Sequence, residues 1–410
     1  MIKIKNMLSY LLWAVIFILV GCNQNSVNLQ WRNDRTGIYN ETGLLKSWHR
    51  DGPELLWHYD ELGDGFSSVV VSKDKFYVAG MIDDKGYLHV FDAKGNLLNK
   101  IMYGDEWTVN YNGTRGSPTI DNGKIYIISG IGDLICFDEN TLNVLWKKNI
   151  FSEFESNNIR WGITESPLII GEKLIVTPGG ERHNVVALNK NTGELIWSSP
   201  GVGEASAYCS PLYVGDLETP LIATKTAYHI IGLEAATGKL LWSFESRNRN
   251  QIHSNTPVYA DNMILFSSVD KGSVMVQLSE GGRKAEIVWE NPDWDNMMGG
   301  VIKIGDYVYG SCSGYKNRLW YCLNWNTGEV MYQERGLETA GVIIYADGMF
   351  YCYSDRGDVA LVTPNPGRFE IVSRFRIEKG TGQHWAHPII YNGTLYVRRG
   401  NSLMAYKIKS

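Results

Sequence analysis

Apolar and polar positions along this chain repeat one phrase eight times: a small residue or Ser-Pro pair, a β-forming run, a polar turn, then further short strands ending near an aromatic. The anchors are Ser68, Pro118, Pro167, Pro211, Pro257, Gly300, Gly341 and Pro388, spaced 50, 49, 44, 46, 43, 41 and 47 residues apart. A period in this range predicts propeller blades or an array rather than two or three independent domains. The unit from Ser117 shows the grammar, with Asp121-Asn122-Gly123, Gly130 to Asp133 and Asp138 to Thr141 supplying the tight reversals between four strands. Its strands are apolar on both faces, as expected of a sheet sandwiched between two neighbours.

The expected fold is therefore all-β: a single eight-bladed β-propeller of four-stranded antiparallel blades. The last unit has no room for an outer strand before Ser410, whereas Leu55-Leu56-Trp57-His58-Tyr59 reads as an outer strand with no inner strands before it. That N-terminal strand is expected to complete blade eight and close the ring, removing free edges. Aromatics at the same place in other units (Trp146, Trp197, Trp242, Trp289, Tyr332) are expected to dock between blades.

The N-terminus adds a compartment. Lys3 and Lys5, an apolar run from Leu11 to Val20 and the sequence Leu19-Val20-Gly21-Cys22 have the form of a lipoprotein signal peptide over residues 1–21. Cys22 is the expected lipidation site, residues 22–30 a tether and 31–410 the propeller, placing the protein in the cell envelope on a lipid anchor. The net charge of −5, or −7 without the two leader lysines, gives no basic field for nucleic acid. Cys136, Cys209, Cys312, Cys322 and Cys352 form no C-x-x-C or adjacent pair, and no structural disulfide is expected.

Asn189-Lys-Asn-Thr-Gly-Glu-Leu-Ile-Trp197, Glu234-Ala-Ala-Thr-Gly-Lys-Leu-Leu-Trp242 and Asn324-Trp-Asn-Thr-Gly-Glu-Val-Met-Tyr332 resemble the tryptophan-docking repeat of pyrroloquinoline-quinone (PQQ) propellers. Trp31 to Gly37, Glu41 to Leu45, Gly52 to Trp57 and Trp385 to Pro388 are similar to segments of exported PQQ-like propellers of Bacteroidetes and Planctomycetes, relatives of BamB. The resemblance spans about residues 31 to 410. It implies a non-catalytic envelope scaffold that binds a protein partner in the outer membrane or periplasm. PQQ dehydrogenases, which share the repeat, set an adjacent Cys-Cys against the quinone and Glu, Asn and Asp around Ca²⁺. That Cys-Cys and any haem motif are missing here, so neither PQQ nor Ca²⁺ is expected.

The competing expectation is an enzyme or a carbohydrate-binding protein with a pocket at the propeller mouth, where the loops entering each innermost strand converge. Those loops carry Arg115, Arg160, Trp161, Glu165, Glu204, Tyr208, His253, Asn255, Met297, Met298, Glu338, His384, Trp385 and His387. His253 or His384 would serve as a general base, Arg115 or Arg160 as an anion clamp, and Trp161 or Trp385 as a stacking platform. His387 replaces the serine of Ser-Pro, which favours a packing role, and His384-x-x-His387 on loops predicts no metal site. Asp83 to Gly86 reads as a hairpin turn rather than a calcium loop, and Gly310 to Gly314 lacks the central Ser of a nucleophile elbow.

Overall fold

A computed structural model describes residues 29–312 and 317–410. The leader and Cys22 lie outside the described residues, as do residues 313–316 next to Cys312. Eight sheets follow one another, and each innermost strand begins just after its anchor: Val70–Ser72, Thr119–Asp121, Leu168–Ile170, Leu212–Val214, Val258–Ala260, Val301–Ile304, Gly341–Ala346 and Ile389–Tyr391. We number the blades 1 to 8 in that order. Each core cluster draws its residues mainly from adjoining blades, so no blade buries both faces alone.

The ring closes as the repeat predicts. Leu55–Tyr59 pairs antiparallel with Ser402–Lys407 as the outer strand of blade 8, with His58 opposite Met404 and Tyr59 opposite Leu403. A second device lies deeper in the same seam. Arg398 of blade 8 is buried and donates to the carbonyls of Ser67 (2.9 Å), Ala79 (2.5 Å) and Gly63 (3.4 Å) at blade 1 and to Gly400 (2.9 Å) in its own hairpin.

The Ser-Pro anchors are blade connectors. Ser117 Oγ accepts the backbone N–H of Ser68 (2.9 Å), Ser166 Oγ that of Ser117 (3.0 Å), and Ser210 Oγ that of Ser166 (2.9 Å). Between blades 5 and 6, Asn255 Oδ1 takes the same part with the N–H of Gly300. Each serine thus satisfies a backbone donor of the preceding blade, and Asn255 one of the following blade.

The docking aromatics explain the Thr-Gly turns. Asn324 Oδ1 accepts the N–H groups of Asn326 and Thr327, fixing a turn that ends at Gly328 with φ +71°, and Trp289 of blade 5 lies on that glycine with its indole N–H on the Trp325 carbonyl (3.0 Å). A Cβ at Gly328 would sit 2.6 Å from the Trp289 ring. Gly328→Ala is expected to cost about 2–4 kcal/mol, combining left-handed strain with a displaced indole. Gly348→Ala has similar strain (φ +78°) but open space around it, and should cost only about 1 kcal/mol. Urea midpoints compare the two; equal losses would mean the indole contact contributes nothing.

The five described cysteines are buried free thiols. Cys312 donates to the Asp295 carboxylate, and Cys322 lies opposite Tyr309. Among the described residues no helix is long and apolar enough to cross a membrane.

Candidate functional site: the propeller mouth and the segment beneath it

Residues 29–39, which the repeat leaves unassigned, fill the channel. Leu29 lies beside blade 2, its carbonyl accepting the N–H of Ile120 close to the hairpin end of that inner strand. The chain then rises towards the mouth and turns back through four consecutive non-glycine residues at positive φ, Arg32, Asn33, Asp34 and Arg35. It descends along blade 7, where Ile38 and Tyr39 pair in parallel with Tyr345 and Ala346. Both ends of the segment therefore lie at the face opposite the mouth, and its tip lies under the mouth.

Left-handed backbone costs an L-residue about 1–2 kcal/mol per position, so four in a row persist only where the surroundings hold them. Two guanidiniums do so. Arg32 donates to the carbonyls of Ile343 (3.0 Å), Thr36 (3.3 Å) and Val301 (3.4 Å) and to His387 Nδ1 (2.8 Å). Arg35 donates to the carbonyls of Ser166 (3.0 Å) and Pro167 (2.8 Å) and to Gln30. Both are buried without a carboxylate in contact, and burial lowers each pKa to about 10, leaving them charged at neutral pH.

The His387 tautomer follows from its partners. The Met298 carbonyl can only accept, so Nε2 carries the proton (2.8 Å) and Nδ1 accepts from Arg32. Burial, then the Arg32 charge, hold this imidazole well below its usual pKa. Trp31 packs edge-on against the same ring at 5.1 Å.

Above this tip is a cavity of about 310 Å³, lined by aromatics with Met297, Met298 and hydroxyl side chains. Of the residues expected at the mouth, Arg115, Trp161, Tyr208, Trp385, His387 and the two methionines line it. Trp385 packs on Phe66 and Tyr111, and Trp161 on Tyr208. Arg115 lies over the Trp107 ring and donates to the carbonyls of Asn110 and Tyr111, while its buried Nε has no hydrogen-bond partner among the described residues.

The other candidates do not reach the cavity, for separate reasons. Arg160 is exposed and lies over the Trp161 ring at 4.7 Å. Glu165 is fully buried and accepts from Thr177 N and Oγ1; burial raises its pKa to about 7 against the opposing charge of Arg35. Glu204 binds Thr226, Tyr228 N and His229. His253 donates from Nε2 to the Ala227 carbonyl and accepts from Ser268, and burial lowers its pKa to about 3. Asn255 serves the blade 5 to blade 6 connection, His384 pairs with Tyr353 OH (2.6 Å), and Glu338 points to solvent. The base proposed at His253 or His384 is corrected on this geometry: both rings are committed to protein partners away from the cavity.

Residues not singled out from the sequence, Trp31, Phe66, Tyr111, Thr164, Ser166, Ser210, Ile252 and Ser254, supply the rest of the lining. No aspartate or glutamate lines the cavity, and among the described residues no group of three His, Cys, Asp or Glu could hold a metal ion. This donor set does not fit a calcium-bound quinone.

A closed eight-bladed ring with tryptophan-docking turns defines the quinoprotein class of propeller. The chain belongs to the family described as outer membrane protein assembly factor BamB, whose model matches residues 84–334. Relatives of that name include one from Moranella endobia (strain PCIT), 22% identical with 69% of this chain and 72% of the relative covered, and one from Shewanella oneidensis, 25% identical with 56% and 55% covered. Among solved structures, BamB from Moraxella catarrhalis superposes with a TM-score of 0.63 at 15% identity, covering 87% of this chain and 100% of that one. A europium-containing methanol dehydrogenase gives 0.68 at 14%, covering 92% and 91%. At these identities the structural likeness shows the fold alone.

Proposed function

We propose that this chain is an envelope-tethered propeller scaffold that binds a protein partner during outer-membrane protein assembly, as the name of its relatives suggests. The observation that carries the reading is the path of residues 29–39: the ring is closed, its channel is filled by its own chain, and that chain leaves by the face opposite the mouth. From Leu29 back to Cys22 is seven residue steps, a reach of about 25 Å at most. A lipid on Cys22 would hold that face towards the membrane and leave the mouth and blade edges open to partners. The reading does not include quinone or metal chemistry.

The test uses the full chain in its own envelope. Cys22→Ala is expected to release the protein from the membrane fraction, and wild-type protein is expected to co-purify with β-barrel assembly components. Membrane retention of Cys22→Ala, or purification of the tethered protein without such partners after in-cell cross-linking, overturns the proposal. A second reading, that the mouth takes a small carbohydrate, is favoured by the aromatic cavity.

A further inference from the structure

Trp31 and His387, packed edge-on at 5.1 Å, form part of the mouth cavity's wall above the channel segment. Its volume of about 310 Å³ lies at the small end for ligand sites. Six aromatic side chains line it, Trp31, Phe66, Tyr111, Trp161, Tyr208 and Trp385, a density that suits a flat ring or the C–H face of a sugar.

The polar lining is mostly hydroxyl, from Thr164, Ser166, Ser210 and Ser254. Ser166 Oγ and Ser210 Oγ each accept a backbone N–H, which leaves their hydroxyl protons to be donated elsewhere. Thr164 gives its proton to the Tyr208 carbonyl, which leaves its oxygen to accept. Arg115 adds a cation to the lining, and the buried Glu106 carboxylate, whose charge acts on it, does not itself line the cavity. On the acceptor side there is no carboxylate, and the Met298 carbonyl is taken by His387. A neutral sugar brings no charge to meet Arg115, whereas an acid does.

We infer that the mouth cavity binds a small ring-shaped anion, one carboxylate- or sulfate-bearing ring no larger than a monosaccharide or a bicyclic, with its acid on Arg115 and its ring against the tryptophans. A sugar acid and an aromatic acid share this chemistry. The sugar arm rests on the carbohydrate reading above; the aromatic arm does not.

Thermal shift and calorimetry on the folded protein with D-glucuronate, D-glucose and indole-3-carboxylate at 10 mM separate these sources. At least one acid is expected to raise Tm by about 3 °C or more, as a ligand well above its Kd does, and glucose to leave it unchanged. Arg115→Gln should abolish the shift, Arg115→Lys should retain part of it, and Trp161→Ala should weaken binding about tenfold with little change in the unliganded Tm. A shift with indole-3-carboxylate alone supports the anion site and ends the carbohydrate reading. Equal shifts with glucose and glucuronate, unchanged in Arg115→Gln, overturn the anion site and leave the carbohydrate reading standing. No shift with any of the three probes overturns the inference.

Discussion

Arg398→Met is expected to lower stability by about 3–4 kcal/mol, because it strips a donor from four carbonyls at the seam between the last blade and the first, of which Ala79 keeps the Thr114 hydroxyl. A buried carbonyl left unpaired costs about 1–3 kcal/mol, and removing a buried cation returns part of that through relief of desolvation. Burial lowers the Arg398 pKa to about 9, which measures how unfavourable that site is for charge and why only several carbonyls together can hold it. Methionine keeps much of the side-chain volume, so the loss reports hydrogen bonds rather than a cavity. The neighbouring Arg399→Met, which gives up longer bonds to Gly382 and Glu378 at the surface, should cost no more than about 1 kcal/mol. Urea denaturation with an unchanged m-value tests the pair. If Arg398→Met costs no more than Arg399→Met, the outer strand Leu55–Tyr59 alone closes the ring and the guanidinium staple is incidental.

The contrast between these two closures shows what the sequence could disclose. Leu55 to Tyr59 announced itself as an outer strand by pattern, because strand pairing is written in local alternation and in the aromatic that docks next door. Arg398 gave no such sign: on its strand it reads as an exposed cation, and its burial is decided by carbonyls of Ser67, Ala79 and Gly63 more than three hundred residues away. Residues 31 to 37 were hidden for the same reason. Two arginines, an aspartate and an asparagine within seven residues carry no strand pattern, and no periodicity predicts a left-handed turn whose donors are met by blades 3, 6, 7 and 8. At the mouth, the sequence offered a set of loop residues but could not give side-chain direction. His253 and Glu165 turn into the blades, where Ser268 and Thr177 hold them, while Phe66 and Ile252, which carry no functional group to attract notice, face the cavity.

The channel segment leads to a prediction with a pH signature. Arg32→Met removes donors from Ile343, Val301 and Thr36 and the partner of His387 Nδ1, and should cost about 2–4 kcal/mol at pH 7.5. The imidazole then adds a second readout. Its folded pKa is depressed, first by burial and then by Arg32, so its contribution is fully present above the ordinary value near 6.5 and is lost as pH falls below it, by about 1.4 kcal/mol per pH unit. Removing the Arg32 charge lets the folded pKa climb back towards 6.5, so the variant should lose stability less steeply than wild type between pH 6.5 and 4.5. His253, held low by its own burial, keeps its share of the slope in both proteins, and the raised Glu165 acts in the opposite sense in both, stabilising as it takes up its proton. The difference between the two acid limbs therefore isolates the Arg32–His387 contact. Parallel limbs would show that the segment is held by its carbonyl bonds alone, and that the charge beneath the mouth has no hold on the histidine above it.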